Sequence, residues 1–455
     1  AKAEKGLAVR DASREEKIIQ KLTENVGEPG TSYIKRIYDG IFAASCQLEH
    51  GNYGVLGGVN LNSKSPFIHK AFGNDNYRVF RVAAEDLQGF AAENGLDGYN
   101  ITIPHKVGIM KYLDEITPVA AAVGAVNTVT VRNGKKIGHN TDVAGFCDAL
   151  AFHNITVRGK KVCVLGGGGA SKAVCFACEK ENAKEIVTVS RTGKIGYADT
   201  AAYADAEVLI NCTPVGAGKG NADCPVDINA FNNLEAVYDL IYEPEMTRLV
   251  YEARQKGINA RNGLYMLIAQ AAYSHELFTG TCPGTEALEN LYRAMSPERT
   301  VLIGMPGAGK TELGRLIAIC DNASRADTDE MIENETGMRI PEIFEKYGAT
   351  RFREIEKEVI KRLAADPPDV ISFGGGAVLD KENRYYIKSM GKVYWVLRDA
   401  EKLDKAGRPL SVDLKKLAGE RYPIYESLCD VKISNDGRIS EALEKIMSIK
   451  EKSGH

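Results

Sequence analysis

Val301-Leu302-Ile303-Gly304-Met305-Pro306-Gly307-Ala308-Gly309-Lys310-Thr311 is an apolar run that ends in a complete G-x-x-x-x-G-K-[ST] element. A strand-like run entering such a loop, followed by the helix-like Glu312–Ile319, marks an α/β unit whose loop cradles phosphates. The glycines let successive backbone N–H groups turn onto phosphate oxygens, and the helix behind them presents its positive end. In that frame Gly304, Gly307, Ala308 and Gly309 wrap a nucleoside triphosphate such as ATP, Lys310 reaches its outer phosphates and the Thr311 hydroxyl ligates Mg²⁺. A second glycine-rich loop lies upstream. The continuous apolar strand Lys161–Leu165 runs into Gly166-Gly167-Gly168-Gly169-Ala170-Ser171, a turn opening a helix that suits the pyrophosphate of a dinucleotide. The next strand, Glu185–Val189, ends in Ser190-Arg191-Thr192, where an NAD site would place an acid; a basic, hydroxylated ending favours the 2′-phosphate of NADP. The two loops belong to different architectures, so one polypeptide carries two nucleotide sites.

The 455 residues leave room for about three domains of roughly 150. With 44% hydrophobic and 26% charged residues, the composition is that of ordinary globular protein. A net charge of −3 supplies no field for nucleic acid or an anionic membrane, so anionic substrates must be held by local Arg and Lys. No apolar run approaches about 18 residues, and the N-terminus lacks a basic-then-apolar leader pattern, which points to the cytoplasm. The C-x-x-C of Cys175 and Cys178 falls in the helix behind the upstream loop and has no second ligand pair to complete a zinc site, so it reads as packing.

Along the chain, the first fifty residues read as helical and charged, with Arg14–Leu22 and Ser32–Leu48 separated by Glu28-Pro29-Gly30-Thr31. From Tyr53 onward, strands Tyr53–Leu56, Tyr77–Arg81, Gly98–Ile103 and Thr128–Val131 alternate with helices Ser65–Phe72, Ala84–Asn94 and Gly108–Leu113. A helix at Val143–His153 leads to the first glycine-loop strand, followed by Val208–Ile210, Ala236–Leu240 and the helix Thr247–Lys256. Thr279–Thr285 and the helix Glu286–Met295 have the composition of a boundary, predicting that a unit beginning near residue 297 folds alone. The fold class is therefore α/β and multidomain, with a short helical segment in front.

The middle of the chain carries polar motifs in a specific order: Asn62-Ser63-Lys64-Ser65-Pro66, Tyr99-Asn100-Ile101-Thr102-Ile103-Pro104-His105-Lys106, Gly124-Ala125-Val126-Asn127-Thr128, Asn140-Thr141-Asp142-Val143-Ala144-Gly145, Asn211-Cys212-Thr213-Pro214 and Met266–Gln270. Together they resemble shikimate dehydrogenase over residues 51–290, implying a substrate part at 51–147 plus 264–290 and a Rossmann NADP part at 148–263. The resemblance implies that Ser63, Ser65, Thr102, Asn127 and Gln270 hold the hydroxyls and carboxylate of a small cyclohexene acid. It also places Tyr242 near the nicotinamide, Lys106 and Asp142 at the reduced carbon, and Gly166, Gly168, Gly169, Ala170, Ser190, Arg191 and Thr192 on NADP. The chemistry agrees, because a ketone receiving a hydride develops alkoxide charge that a desolvated lysine beside an acid can meet with a proton. His69 and His105 read as structural. One departure is the approach to the serine pair, Gly58-Val59-Asn60-Leu61-Asn62 in place of the family's G-H-S-x-S-P, which leaves shikimate against quinate open; the two serines and the NADP-type strand end favour shikimate.

Residues 297–455 carry Ala326-Asp327-Thr328-Asp329, Arg351-Phe352-Arg353-Glu354-Ile355-Glu356, Phe373-Gly374-Gly375-Gly376, Gly407-Arg408-Pro409 and Arg421-Tyr422-Pro423 after the phosphate loop, and so resemble shikimate kinase. The resemblance implies Asp327 with Thr311 in the Mg²⁺ shell, Asp329 polarising the acceptor hydroxyl, and Arg353 with Arg421 clamping the carboxylate. Gly374, Gly375 and Gly376 face the ring, Glu356 orients Arg353 or touches substrate, and Arg408 closes over the phosphates from a compressed lid. Lys2, Asp11, Arg14, Glu15, Ser45 and Glu49 resemble the second half of a helical chorismate mutase that lacks its long first helix, a fragment inactive unless the natural chain begins earlier.

The combined reading is a fused enzyme that reduces 3-dehydroshikimate with NADPH and then phosphorylates shikimate with ATP and Mg²⁺. Two rivals are a quinate-preferring dehydrogenase with another small-molecule kinase, and a non-catalytic sensor or scaffold. The presence of Lys106, Asp142, Lys310 and Asp329 at the reacting centres argues against the sensor. The sequence leaves the oligomeric state open.

Overall fold

Buried on every residue, β1 (Tyr53–Gly57) behaves as a strand flanked on both edges and covered on both faces. It pairs in parallel with β2 (Tyr77–Arg81) and β3 (Gly98–Ile101). Beyond β3 the sheet turns antiparallel through β5 (Thr128–Arg132) and β6 (Lys135–His139), and β4 (Glu115–Ile116) closes it parallel to β6, in the order β2-β1-β3-β5-β6-β4. The hairpin between β5 and β6 is built on Asn133-Gly134, both at positive φ (52° and 78°), the two-residue turn that matches strand twist. The sequence reading missed β4 and β6: a two-residue strand carries no periodicity, and Lys135-Lys136 at the head of β6 reads as loop.

The computed structural model describes residues 20–21, 51–93, 95–296, 298–399 and 414–453. They divide into two compact units, one holding the residues up to Cys212 together with Gly263–Tyr292, the other Thr213–Asn262 together with the chain from Arg293 onward.

In the first unit, β7 (Lys161–Leu165) lies between β8 (Glu185–Val189) and β9 (Val208–Asn211), all parallel, and the helix Gly169–Lys180 follows the glycine loop. Cys178 is buried on that helix and burial holds its thiol high, consistent with packing. The helices Asp142–Phe152 and Leu264–Thr279 approach closely at Gly145, where a methyl group would sit 2.6 Å from the backbone nitrogen of Gln270. Only glycine allows that approach, and it brings Gln270 toward the start of the facing helix.

The second unit pairs β10 (Ala236–Asp239) with β11 (Asn259–Asn262) and contains a five-stranded parallel sheet. Its strands are β12 (Thr300–Ile303), β13 (Arg325–Asp327), β14 (Val370–Ser372), β15 (Lys392–Leu397) and β16 (Val431–Ser434), in the order β13-β14-β12-β15-β16. The core around Val301, Ile303 and Val393 takes in Tyr251, with Met246 and Ala222 packed against it. Tyr251 meets Tyr385 edge-on at 5.5 Å, the Arg248 guanidinium covers both rings, and the Tyr385 hydroxyl donates to the carbonyl of Asn221 at 2.9 Å. The core of the region expected to fold alone from residue 297 thus also takes in side chains of Thr213–Asn262.

Candidate active sites

Strand and helix ends assemble the first site. Thr102 follows the end of β3, Lys106 sits on the short helix His105–Gly108, Asn127 immediately precedes β5, and Asp142 opens its helix. Lys106 Nζ donates to Asp142 Oδ2 at 2.5 Å, with the two side chains 15% and 8% exposed. The other oxygen, Oδ1, accepts from Asn127 Nδ2 at 2.9 Å, and the same amide approaches Gln270 Oε1 at 3.4 Å. Ser63 donates to Ser65 at 3.0 Å on the approach to the helix Ser65–Ala71.

The glycine loop comes to Lys106: a methyl group on Gly169 would lie 3.4 Å from Lys106 Cβ. A dinucleotide seated on that loop fits, because Gly168 caps a twelve-residue helix whose first N–H groups need acceptors. Ser190 is buried at the end of β8, while Arg191 and Thr192 are exposed beyond it, as a site for a 2′-phosphate requires. Tyr242 follows β10 in the other compact unit, where burial raises its hydroxyl above the usual phenol range.

The two histidines are structural. His69 is fully buried and stacked on Tyr77 at 4.0 Å, and burial with the neighbouring His275 pushes its pKa down to about 3, so it stays neutral. His105 is buried with Nε2 at 2.9 Å from the carbonyl of Val82. Sequence reasoning quoted Asn100 within its motif but assigned it nothing; it is buried at the centre of a polar network with Tyr77, Thr128 and Ser274.

The second site is a cleft of about 530 Å³ behind the phosphate loop, lined by Lys310, Asp329, Arg353, Glu356 and Arg421, among others. Lys310 is buried and donates to the carbonyls of Gly304 and Met305 at 3.0 and 2.9 Å. Gly309 has φ +91°, and a methyl there would lie 2.5 Å from the Asn435 amide, which itself donates to the Ala308 carbonyl. Thr311 donates to Asp327 Oδ2 at 2.7 Å, while Asp327 Oδ1 caps the helix Thr328–Thr336 by accepting from the Asp329 N–H. Two hard oxygens side by side are the donor type that Mg²⁺ takes, so Thr311 and Asp327 would hold it.

Arg353 Nη1 donates to Glu356 Oε2 at 2.5 Å. Glu356 is 1% exposed, and burial, opposed by Arg353, pushes its pKa up to about 7. Arg421 is also buried, and among the described residues its Nε has no hydrogen-bond partner, an orphan donor suited to an anion. Gly374 and Gly376 leave the room that Asp329 and Arg353 occupy, since a methyl on either would collide with those side chains. Sequence reasoning missed Asn435 and also Arg398, which lines the cleft beside the Gly307 carbonyl. Arg408 and the N-terminal positions Lys2, Asp11, Arg14, Glu15, Ser45 and Glu49 lie outside the described residues.

Family comparison matches residues 306–450 to shikimate kinase and residues 56–129 to the shikimate dehydrogenase substrate binding domain. The NADP(+) shikimate dehydrogenase of Caldanaerobacter subterraneus subsp. tengcongensis is 40% identical over 256 residues, covering 50% of this chain and 91% of that protein. The Bacillus cereus (strain B4264) enzyme is 36% identical over 267 residues, covering 52% of this chain and 96% of its own. Among solved structures, shikimate dehydrogenase 1 of Peptoclostridium difficile superposes with a TM-score of 0.50 at 32% identity over 54% of this chain and 98% of that one. A chorismate mutase/shikimate 5-dehydrogenase fusion protein of Clostridium acetobutylicum gives the same TM-score and identity over 54% of this chain and 96% of its own. The Lys106–Asp142 site and the phosphate-loop cleft thus lie in the two matched regions or beside them, and the chain belongs to the shikimate dehydrogenase family, continued by a shikimate kinase domain in the same polypeptide.

Proposed function

We propose that the two sites carry out consecutive reactions: NADPH-dependent reduction of 3-dehydroshikimate to shikimate, then ATP-dependent phosphorylation of shikimate to shikimate 3-phosphate. The observation that carries the reading is Lys106 bonded to Asp142 at 2.5 Å, with the glycine loop against the same lysine. When bound, NADPH supplies the hydride, and ATP with Mg²⁺ supplies the phosphoryl group.

In the reductase, Lys106 donates a proton toward the carbonyl oxygen that gains charge, and Asp142 holds the ammonium in line while accepting from the neighbouring substrate hydroxyl. Ser63, Ser65, Thr102, Asn127 and Gln270 orient the ring. Gly166, Gly168, Gly169 and Ala170 hold the pyrophosphate, and Ser190, Arg191 and Thr192 the 2′-phosphate.

In the kinase, Asp329 orients and polarises the acceptor hydroxyl, while Arg353 and Arg421 fix the carboxylate and Gly374–Gly376 bring backbone against the ring. Gly304, Gly307, Ala308, Gly309 and Lys310 take the phosphates, with Arg408 closing from the lid, and Thr311 with Asp327 holds the Mg²⁺. We assign the reductase to residues 51–290 and the kinase to 297–455, the latter leaning on Thr213–Asn262 for part of its core. A cytoplasmic location fits nine described cysteines that are all free thiols and the lack, among the described residues, of a helix long and apolar enough to cross a membrane.

The test is Lys106→Ala, assayed for shikimate and quinate oxidation and for shikimate phosphorylation. We expect kcat for shikimate to fall about 10²-fold or more, with modest change in KM and phosphorylation within about twofold. Near-normal turnover, or a wild-type preference for quinate, would overturn the reading.

A further inference from the structure

Beneath the reductase site runs a line of buried hydrogen bonds whose two amides are each held one way. Thr141 N–H donates to Asn127 Oδ1 at 2.7 Å, and a backbone N–H is an obligate donor, so the Asn127 amide can face only one way. Its Nδ2 therefore points at Asp142 Oδ1, an obligate acceptor, at 2.9 Å. Thr128 Oγ1 donates to Asn127 Oδ1 at 3.1 Å, and its own lone pair accepts from Asn100 Nδ2 at 2.9 Å. The Asn100 amide is fixed in turn, since Nδ2 also faces the Asn127 carbonyl at 3.4 Å and the Ser274 hydroxyl at 2.7 Å. Its Oδ1 is left to accept, and the Tyr77 hydroxyl donates to it at 2.6 Å. Tyr77, Asn100, Asn127, Thr128 and Asp142 are all buried, so no water competes for these bonds. At the far end, the Ser65 hydroxyl lies against Tyr77 and the Ser63 hydroxyl donates to Ser65 at 3.0 Å.

We propose that Tyr77, which has no part in the site described above, is a positioning residue for the reduction: through Asn100, Thr128 and Asn127 its hydroxyl sets the orientation of the Asp142 carboxylate, and through Ser65 it ties that orientation to the serine pair. This rests on the assignment of Lys106 and Asp142 as the reacting pair. The Tyr77 hydroxyl donates to Asn100 Oδ1, so removing it leaves that buried oxygen short of a donor and loosens the amide whose Nδ2 bonds Thr128. The disturbance passes to the atom that accepts from Asn127, on the opposite side of Asp142 from Lys106. His69, stacked on the Tyr77 ring, holds the phenol in place without contributing charge.

The test uses the full chain carrying Tyr77→Phe, with Lys106→Ala alongside. We expect kcat for shikimate oxidation to fall about five- to tenfold with KM within about twofold, and ATP-dependent phosphorylation to stay at its wild-type rate as an internal control of folding. In an Asp142→Asn background, Tyr77→Phe should cost less than about twofold further, since the group it positions is gone. Thr128→Val cuts the same line at another link and should reproduce the kcat loss, which keeps the question open to test if Tyr77→Phe folds poorly. An unchanged kcat in both variants while Lys106→Ala is crippled would overturn the role of Tyr77 alone. An undiminished effect in the Asp142→Asn background would do the same. A Lys106→Ala enzyme that turns over normally would instead overturn the site assignment beneath it.

Discussion

Lys106 and Asp142 in the reductase meet at 2.5 Å, and Asn127 bonds the second carboxylate oxygen. In the kinase cleft Lys310 rests on two backbone carbonyls, Arg421 keeps a buried donor without a partner among the described residues, and Glu356 sits 1% exposed with a raised pKa. The difference follows the chemistry. Moving one proton at a carbonyl needs an acid and its orienting base in register before the substrate arrives. Transferring a phosphoryl group needs positive charge spread around several anionic oxygens, and those oxygens come with the ligands, so the protein builds the cage and leaves the anions to complete it.

The contrast breaks most sharply at Lys310. Replacing it with Ala removes the charge at the outer phosphates, and we expect phosphorylation to fall by more than about 10³-fold, or roughly 4 kcal/mol of transition-state stabilisation, with shikimate oxidation within about twofold. Coupled loss of both activities in a chain that still melts normally would show that the two sites are not separate.

Tyr251 tests the other side of that separation. It lies before the kinase in sequence yet belongs to its core, packed edge-on against Tyr385 under Arg248. Tyr251→Ala should lower the stability of the kinase by about 3 kcal/mol, read as an earlier thermal loss of phosphorylation, and a segment cut at residue 297 should melt lower still or aggregate. A cut segment as stable as the kinase in the intact chain would restore the picture of an autonomous module.

What could be read from the sequence divides along the same lines. The phosphate loop, the Thr102–Lys106 motif and Asn140–Gly145 are contiguous, and each needs unusual residues at fixed offsets, so spacing alone exposes them. Asn100 and Thr128 stand inside the quoted motifs, but Asn100 meets Ser274 only after the chain has folded across 174 positions, and nothing local marks that network. Asn435 reaches the phosphate loop across 127 positions, and Tyr251 packs on Tyr385 in the same non-local way, contacts that a boundary judged on composition does not register.

Glu356 sharpens the comparison through pH. Its folded pKa is about 7 because burial outweighs Arg353, whereas the unfolded carboxyl titrates near 4.5. A raised carboxyl pKa means the folded state prefers the protonated form, so its contribution is full below about 4.5 and is lost as pH rises through about 7, by on the order of 3 kcal/mol. Glu356→Gln should flatten the dependence of the kinase melting temperature between about pH 5 and 8; an unchanged slope would mean that Arg353 holds the carboxylate ionised throughout.

The smallest expected effect lies at the edge of the reductase's cofactor loop. Ser190 is buried at the end of β8, but Arg191 is exposed, so an ion pair from Arg191 to a 2′-phosphate is screened by water and is weaker than one inside the kinase cleft. We expect NADP⁺ to be preferred over NAD⁺ in kcat/KM, and Arg191→Ala to erode that preference by about 1–2 kcal/mol, or roughly five- to thirtyfold. The loss should shrink as salt is raised, because the interaction is electrostatic and exposed, while kcat with saturating NADP⁺ changes little since Arg191 is remote from the reacting carbon. If the preference survives the substitution at every salt concentration, discrimination comes from the buried Ser190 and the backbone around it; equal use of both cofactors by the unmodified chain would mean the strand end does not read the phosphate at all.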